Sequence, residues 1–145
     1  MNPTARRNAR FYALQAMYQW QVNETTLAEL EADFLVNHLK RKTDVEYFKE
    51  LIHAIPQQMT ELDEQIKPFL NRTLESLDVI ELAILRLGIY ELEHRLDIPY
   101  RVVINEYLEL TKQFGSVEGF KFVNGILDQV ARKTRAPEIS ANKKV

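Results

Sequence analysis

Arg6, Arg7 and Arg10 stand within the first ten residues, with no acid among them, and an apolar stretch over 11–18 follows at once. A guanidinium group is planar, permanently charged and carries paired N–H donors that match two oxygens of a phosphate. On a helix Arg6 and Arg10 share one face, and Arg7 lies about a quarter-turn round. The positive end of the helix dipole adds to their field. The chemistry on offer is phosphate recognition. The structural alternative is that these arginines pair with acidic residues and hold the helix down.

Charge is distributed in keeping with a phosphate ligand. Residues 1–10 carry a net +3 and residues 132–145 a net +4, whereas 11–131 hold 11 basic and 20 acidic residues, a net −9. The net charge of −2 thus hides basic ends on an acidic body. Such a molecule suits a polyanion on one side and a basic partner on the other. A solvated tail is the competing account of the C-terminal charges. Single-stranded RNA also needs flat surfaces on which unstacked bases can rest. Tyr18, Phe114 and Phe122 are candidates, and Lys121 and Asn124 bring a charge and an amide near Phe122. Each aromatic taken alone is more often a core residue.

Other chemistries find little support. His38, His53 and His94 are far apart and in no metal-ligand spacing, and the chain has no cysteine. Ser76, Ser116 and Ser140 stand at expected helix caps or in the tail. The stretch 115–119 has two glycines but matches neither a phosphate loop nor a dinucleotide fingerprint. No catalytic residue, metal or cofactor is expected, and the chain does not read as an enzyme. No apolar run approaches the roughly 18 residues of a membrane span. The N-terminus leads into charge rather than an apolar signal core, so a cytoplasmic protein is expected.

The elements that must position these residues are helical throughout, since only four glycines and five prolines interrupt 145 residues. Asn2-Pro3 reads as a cap and first turn of a helix reaching about Asn23, with Ala9, Ala13, Ala16, Met17 and Trp20 inward. A second stripe, Phe11, Leu14, Tyr18 and Val22, is left for a central packing role or for a partner. Thr26 opens a second helix that fades at Lys40-Arg41-Lys42, three charges that suit a helix end. Asp44 starts a third, expected to kink at Pro56 and resume to Ile66. After the break at 68–71, Ser76 or Asp78 caps a helix to Arg95. Pro99 starts the next helix, which should end on a left-handed Gly115, and Ser116 opens the last. The expected fold is all-α, about seven helices in two small packed bundles forming one domain over 1–135, with a flexible basic tail over 136–145.

The stretches 98–106, 112–115 and 121–128, together with 6–10 and 13–18, resemble the NusB family over nearly the whole length. The resemblance implies an all-helical protein of two small bundles that binds boxA RNA of nascent ribosomal RNA transcripts. It implies the ribosomal protein NusE as partner, and an RNA polymerase elongation complex with other Nus factors as the assembly. By position, Arg6, Arg7 and Arg10 match the family's arginine-rich motif. Tyr18, Phe114, Lys121, Phe122 and Asn124 fall where the RNA surface continues, and Tyr18, Val22, Glu75 and Glu81 fall on the NusE side. The chain departs from the pattern at Asn8, where many relatives carry another arginine, implying a weaker hold on RNA, and at Pro56. A homodimer that hides the RNA face stays open. So do two other readings: an RNA-positioning domain of the kind found in ribosomal RNA cytosine methyltransferases, and a helical adaptor that binds only protein.

Overall fold

The computed structural model describes residues 2–143, in which eight α-helices and no strand occur. Lys144, counted above in the basic C-terminus, lies outside the described residues, as does the side chain of Lys143. The chain divides into two compact units, Met1–Met59 and Thr60–Val145.

In the first unit, α1 runs over Pro3–Val22. The Asn2 carboxamide oxygen accepts from the Thr4 and Ala5 amides at 2.9 and 3.3 Å, and Pro3 occupies the first helical position, where no donor is missed. Ala9, Ala13 and Ala16 are fully buried, and their small side chains let α1 lie close on α3 (Val45–Gln57). Helix α3 buries Phe48, Leu51, Ile52 and Ile55, a spacing of three and four that makes one apolar face. Helix α2, Leu27–Asp33, begins at Thr26, whose hydroxyl accepts from the Glu29 amide at 3.2 Å.

Two expectations fail here. Helix α2 passes into a π-helical turn, Phe34–His38, which closes when the Leu39 amide donates to the Phe34 carbonyl at 3.0 Å. Lys40, Arg41 and Lys42 therefore lie beyond the helix and do not neutralise its last turn. Pro56 does not kink a continuous helix either. It sits in the last turn of α3, where its missing amide weakens the ladder, and the chain turns at Gln58 before α4, Met59–Ile66.

The second unit is built round α5, Val79–His94, in which every residue from Glu81 to Leu92 is buried. Asp78 rather than Ser76 is its cap, accepting from the Ile80 and Glu81 amides at 2.8 and 3.1 Å. Helices α6 (Tyr100–Phe114) and α7 (Val117–Thr134) pack on α5 and on each other. The expected inward residues Val103, Ile104, Tyr107, Leu108 and Leu110 of α6, and Val123, Ile126, Leu127 and Val130 of α7, are all buried. Gly88 permits the close approach of α5 and α7, since a Cβ there would lie 2.9 Å from a methyl of Leu127. Gly115 ends α6 with extended backbone (φ −113°, ψ −170°), so the expected left-handed cap is absent. The Ser116 hydroxyl opens α7 by accepting from the Gly119 amide at 2.9 Å.

Residues expected as a tail form α8, Ala136–Lys143. The reason lies in Arg135, counted above among the C-terminal charges, which is only 2% exposed. Its guanidinium donates to the carbonyls of Leu92 (2.7 Å), Arg95 (2.9 Å), Glu91 (3.3 Å) and Ile98 (2.9 Å). Carbonyls at a helix C-terminus run short of intrahelical donors, and this one side chain adds donors there and in the turn that follows α5. Glu138 pairs with Arg135 at 2.7 Å and accepts from the Tyr100 amide at 2.8 Å, which satisfies a first-turn donor of α6.

Candidate nucleic-acid interface

Helix α1 presents its arginines differently from the expected exposed face. Arg7 is exposed, but Arg6 is only 9% exposed and Arg10 only 3%. Their guanidinium carbons lie 4.7 and 5.5 Å from the centre of the Tyr47 ring on α3, and Arg6 Nε is 3.9 Å from an Asp44 carboxylate oxygen. The ring faces hold both cations through their quadrupole while the aliphatic stems fill the α1–α3 seam. Periodicity placed Arg6 and Arg10 on one face correctly; it could not reveal Tyr47, on another helix, which lies against them.

A consequence for stability follows. Arg6→Ala combined with Arg10→Ala should cost about 2–4 kcal/mol, from two desolvated cation–π contacts and the lost stem packing. Thermal unfolding checks this: a melting temperature equal to the parent's would mean that the Tyr47 contacts hold nothing.

Tyr18 (37% exposed) and Val22 (47%) stand one turn apart on α1 and leave an apolar strip uncovered in this unit. Asn8 is not directed to solvent alone. Its side-chain amide donates to the Lys42 carbonyl at 2.8 Å.

In the second unit, Phe114 (42% exposed), Lys121 and Asn124 are exposed near the α6–α7 junction. Lys121 and Asn124 are three apart and share a face of α7. Phe122 is half-buried, with the Arg72 guanidinium 5.4 Å from its ring centre. Arg72 was not singled out from sequence, because the loop that carries it has no periodic signal. A cavity of about 310 Å³ beside this face is lined by Lys112, Gly115, Val117, Phe120 and Lys121, with Lys112 Nζ 5.6 Å from the Phe120 ring centre. Aromatic rings beside cations are what stacked bases and phosphates require.

Glu75 is exposed in a short 3-10 turn, whereas Glu81, 9% exposed, is no solvated helix residue. Glu81 lines a second cavity of about 490 Å³ with Arg72, Asp78, Ser116, Gly119 and Phe122. Burial pushes its carboxyl above the usual carboxylate range, the Asp78 charge adds to that, and Arg72 opposes both. A carboxyl whose pKa is raised on folding binds protons more tightly in the folded state. Its charge therefore weakens the fold above the raised value, and the penalty vanishes at pH below the unfolded value. Glu81→Gln should melt at or above the parent temperature at neutral pH, with the difference closing under acid. A Gln variant that melts lower at neutral pH, and only there, would reverse that sign.

Among the described residues no group of three or more His, Cys, Asp or Glu is placed to hold a metal ion, and no helix is long and apolar enough to cross a membrane. Comparison with known proteins shows what the chain as a whole is similar to. A model of the NusB family matches residues 7–132.

The chain belongs to the NusB family.

Two proteins named "Transcription antitermination protein NusB" show how far the likeness extends. That of Alcanivorax borkumensis is 51% identical over 95% of this chain and 92% of its own length. That of Pseudoalteromonas atlantica is 48% identical over 97% of this chain and 100% of its own. The solved structure of T. maritima NusB superimposes with a TM-score of 0.74 at 32% identity, covering 87% of this chain and 89% of that one. The all-helical fold and the family identity are therefore those expected, and this NusB-family protein is a transcription antitermination factor.

Proposed function

We propose that this NusB-family protein binds boxA-type single-stranded RNA together with the ribosomal protein NusE. In doing so it helps assemble an antitermination complex on RNA polymerase, with other Nus factors, during ribosomal RNA transcription. The observation that carries the reading is the family match over 7–132, which takes in Arg7, Arg10 and the aromatic–lysine face of α7. Relatives matched along 92% to 100% of their own length bear the antitermination name, which favours this reading over a methyltransferase module. On this reading Arg7, Phe114, Lys121, Phe122 and Asn124 meet RNA. Arg6 and Arg10 set the helix in place and add to its positive field. Tyr18, Val22 and Glu75 meet NusE, Glu81 reaches it only through the 9% of its surface that stays exposed, and the net −9 of residues 11–131 suits a basic ribosomal protein.

Filter binding with a boxA oligonucleotide and a scrambled control tests this directly. Neutralising about three to five phosphates should give a log–log salt slope of roughly −2 to −4. Adding NusE should raise the affinity, because the joint surface offers more contacts. Absence of RNA binding would leave only a protein adaptor, and equal binding of the scrambled strand with and without NusE would remove the boxA reading.

A further inference from the structure

The loop that follows the π-helical turn joins three exposed cations, Lys40, Arg41 and Lys42, to the arginine helix. It is held to α1 near its C-terminal end. The Lys42 carbonyl accepts from the Asn8 side chain at 2.8 Å, and the Asp44 amide donates to the Ala5 carbonyl at 3.0 Å. Ala5 and Asn8 stand on the first turns of α1, so the loop is pinned to the helix that carries the exposed Arg7.

The acids nearby are largely engaged elsewhere. Asp44 caps α3 by accepting from the Tyr47 amide at 3.0 Å and faces Arg6, and Asp33 binds Asn37 and His38. Glu46, exposed in the first turn of α3, is the one further acid within a few residues. Among the described residues no salt bridge involves Lys40, Arg41 or Lys42. Three solvated cations on a loop anchored to the helix that carries Arg7 form a preorganised positive surface. Anchoring lowers the ordering cost of meeting a long anion.

We propose that Lys40, Arg41 and Lys42 form a second phosphate-binding arm of the surface that Arg7 begins, held in place by Asn8 and taking the backbone of the same single-stranded RNA. This rests on the RNA-binding reading above. It gives Asn8 a positioning role: the residue brings no charge of its own and fixes a loop that brings three.

The test uses the full chain, a boxA-type single-stranded RNA oligonucleotide and salt titration. Lys40→Ala with Arg41→Ala and Lys42→Ala should leave the melting temperature unchanged, since all three side chains are exposed. At about 0.7 slope unit per phosphate, loss of two or three contacts should make the salt slope shallower by roughly 1.4–2, and affinity at 0.1 M salt should fall about tenfold or more. Lys40→Arg with Lys42→Arg should retain both slope and affinity. Asn8→Ala should weaken RNA binding in the parent chain but not in the triple-alanine chain, a coupling that a purely structural Asn8 would not show. If the triple-alanine chain binds RNA with the parent's slope and affinity, the arm is overturned while the wider reading stands. If the parent chain itself binds no RNA, both fall.

Discussion

Arg135→Met is expected to lower the unfolding free energy by about 3–5 kcal/mol, a large share of what a domain of this size has. Methionine fills much of the same space but donates nothing. The carbonyls of Glu91, Leu92, Arg95 and Ile98 would lose their guanidinium donor, and Glu138 its partner. Each buried polar group left unsatisfied costs roughly 1–3 kcal/mol, softened where water reaches it. Arg135→Lys should recover less than half, because a single ammonium cannot span carbonyls that a planar fork reaches together. Chemical denaturation of the three chains gives the numbers, and hydrogen exchange should show faster opening at the end of α5 and the start of α6. A methionine variant within 1 kcal/mol of the parent would mean that water replaces the arginine without cost.

Asp63→Ala should cost a similar amount, about 3–5 kcal/mol, for a different reason. Arg86 Nε and Nη2 donate to the two oxygens of Asp63 at 2.9 and 3.0 Å, linking α5 to α4 within the second unit. Removing the carboxylate leaves a buried guanidinium without its two-pronged acceptor. Replacing both residues, Asp63→Leu with Arg86→Met, should restore most of the loss, since neither charge then remains to be desolvated. The double-mutant cycle measures the coupling; additive losses would show that the two side chains act independently.

Helix existence was legible wherever apolar periodicity and a cap coincided. Asn2-Pro3, Thr26, Asp44, Asp78 and Ser116 all begin helices, because a cap is a contact between residues two or three apart. The inward faces of α6 and α7 were equally plain from their spacing. Failures came where a distant residue competed with the local pattern. The C-terminal charges read as a solvated end until four backbone carbonyls, two in α5 and two in the turn after it, are found bound to Arg135. Gly115 suggested a left-handed cap that its extended backbone does not adopt.

For the candidate site the division is sharper. The type and spacing of Arg6, Arg7 and Arg10, the aromatics beside Lys121 and the uneven charge pointed by themselves to a helical protein facing a polyanion. Those are properties of composition and of one helix at a time. Only the tertiary structure decided which arginines meet solvent, because Tyr47, on another helix, covers Arg6 and Arg10 and leaves Arg7 outside. It also made Glu81 a buried carboxyl rather than a surface acid, and brought Lys42 to Asn8 across 34 positions. Burial and long-range hydrogen bonding depend on where other elements come to rest, and that information is not carried by a residue and its near neighbours.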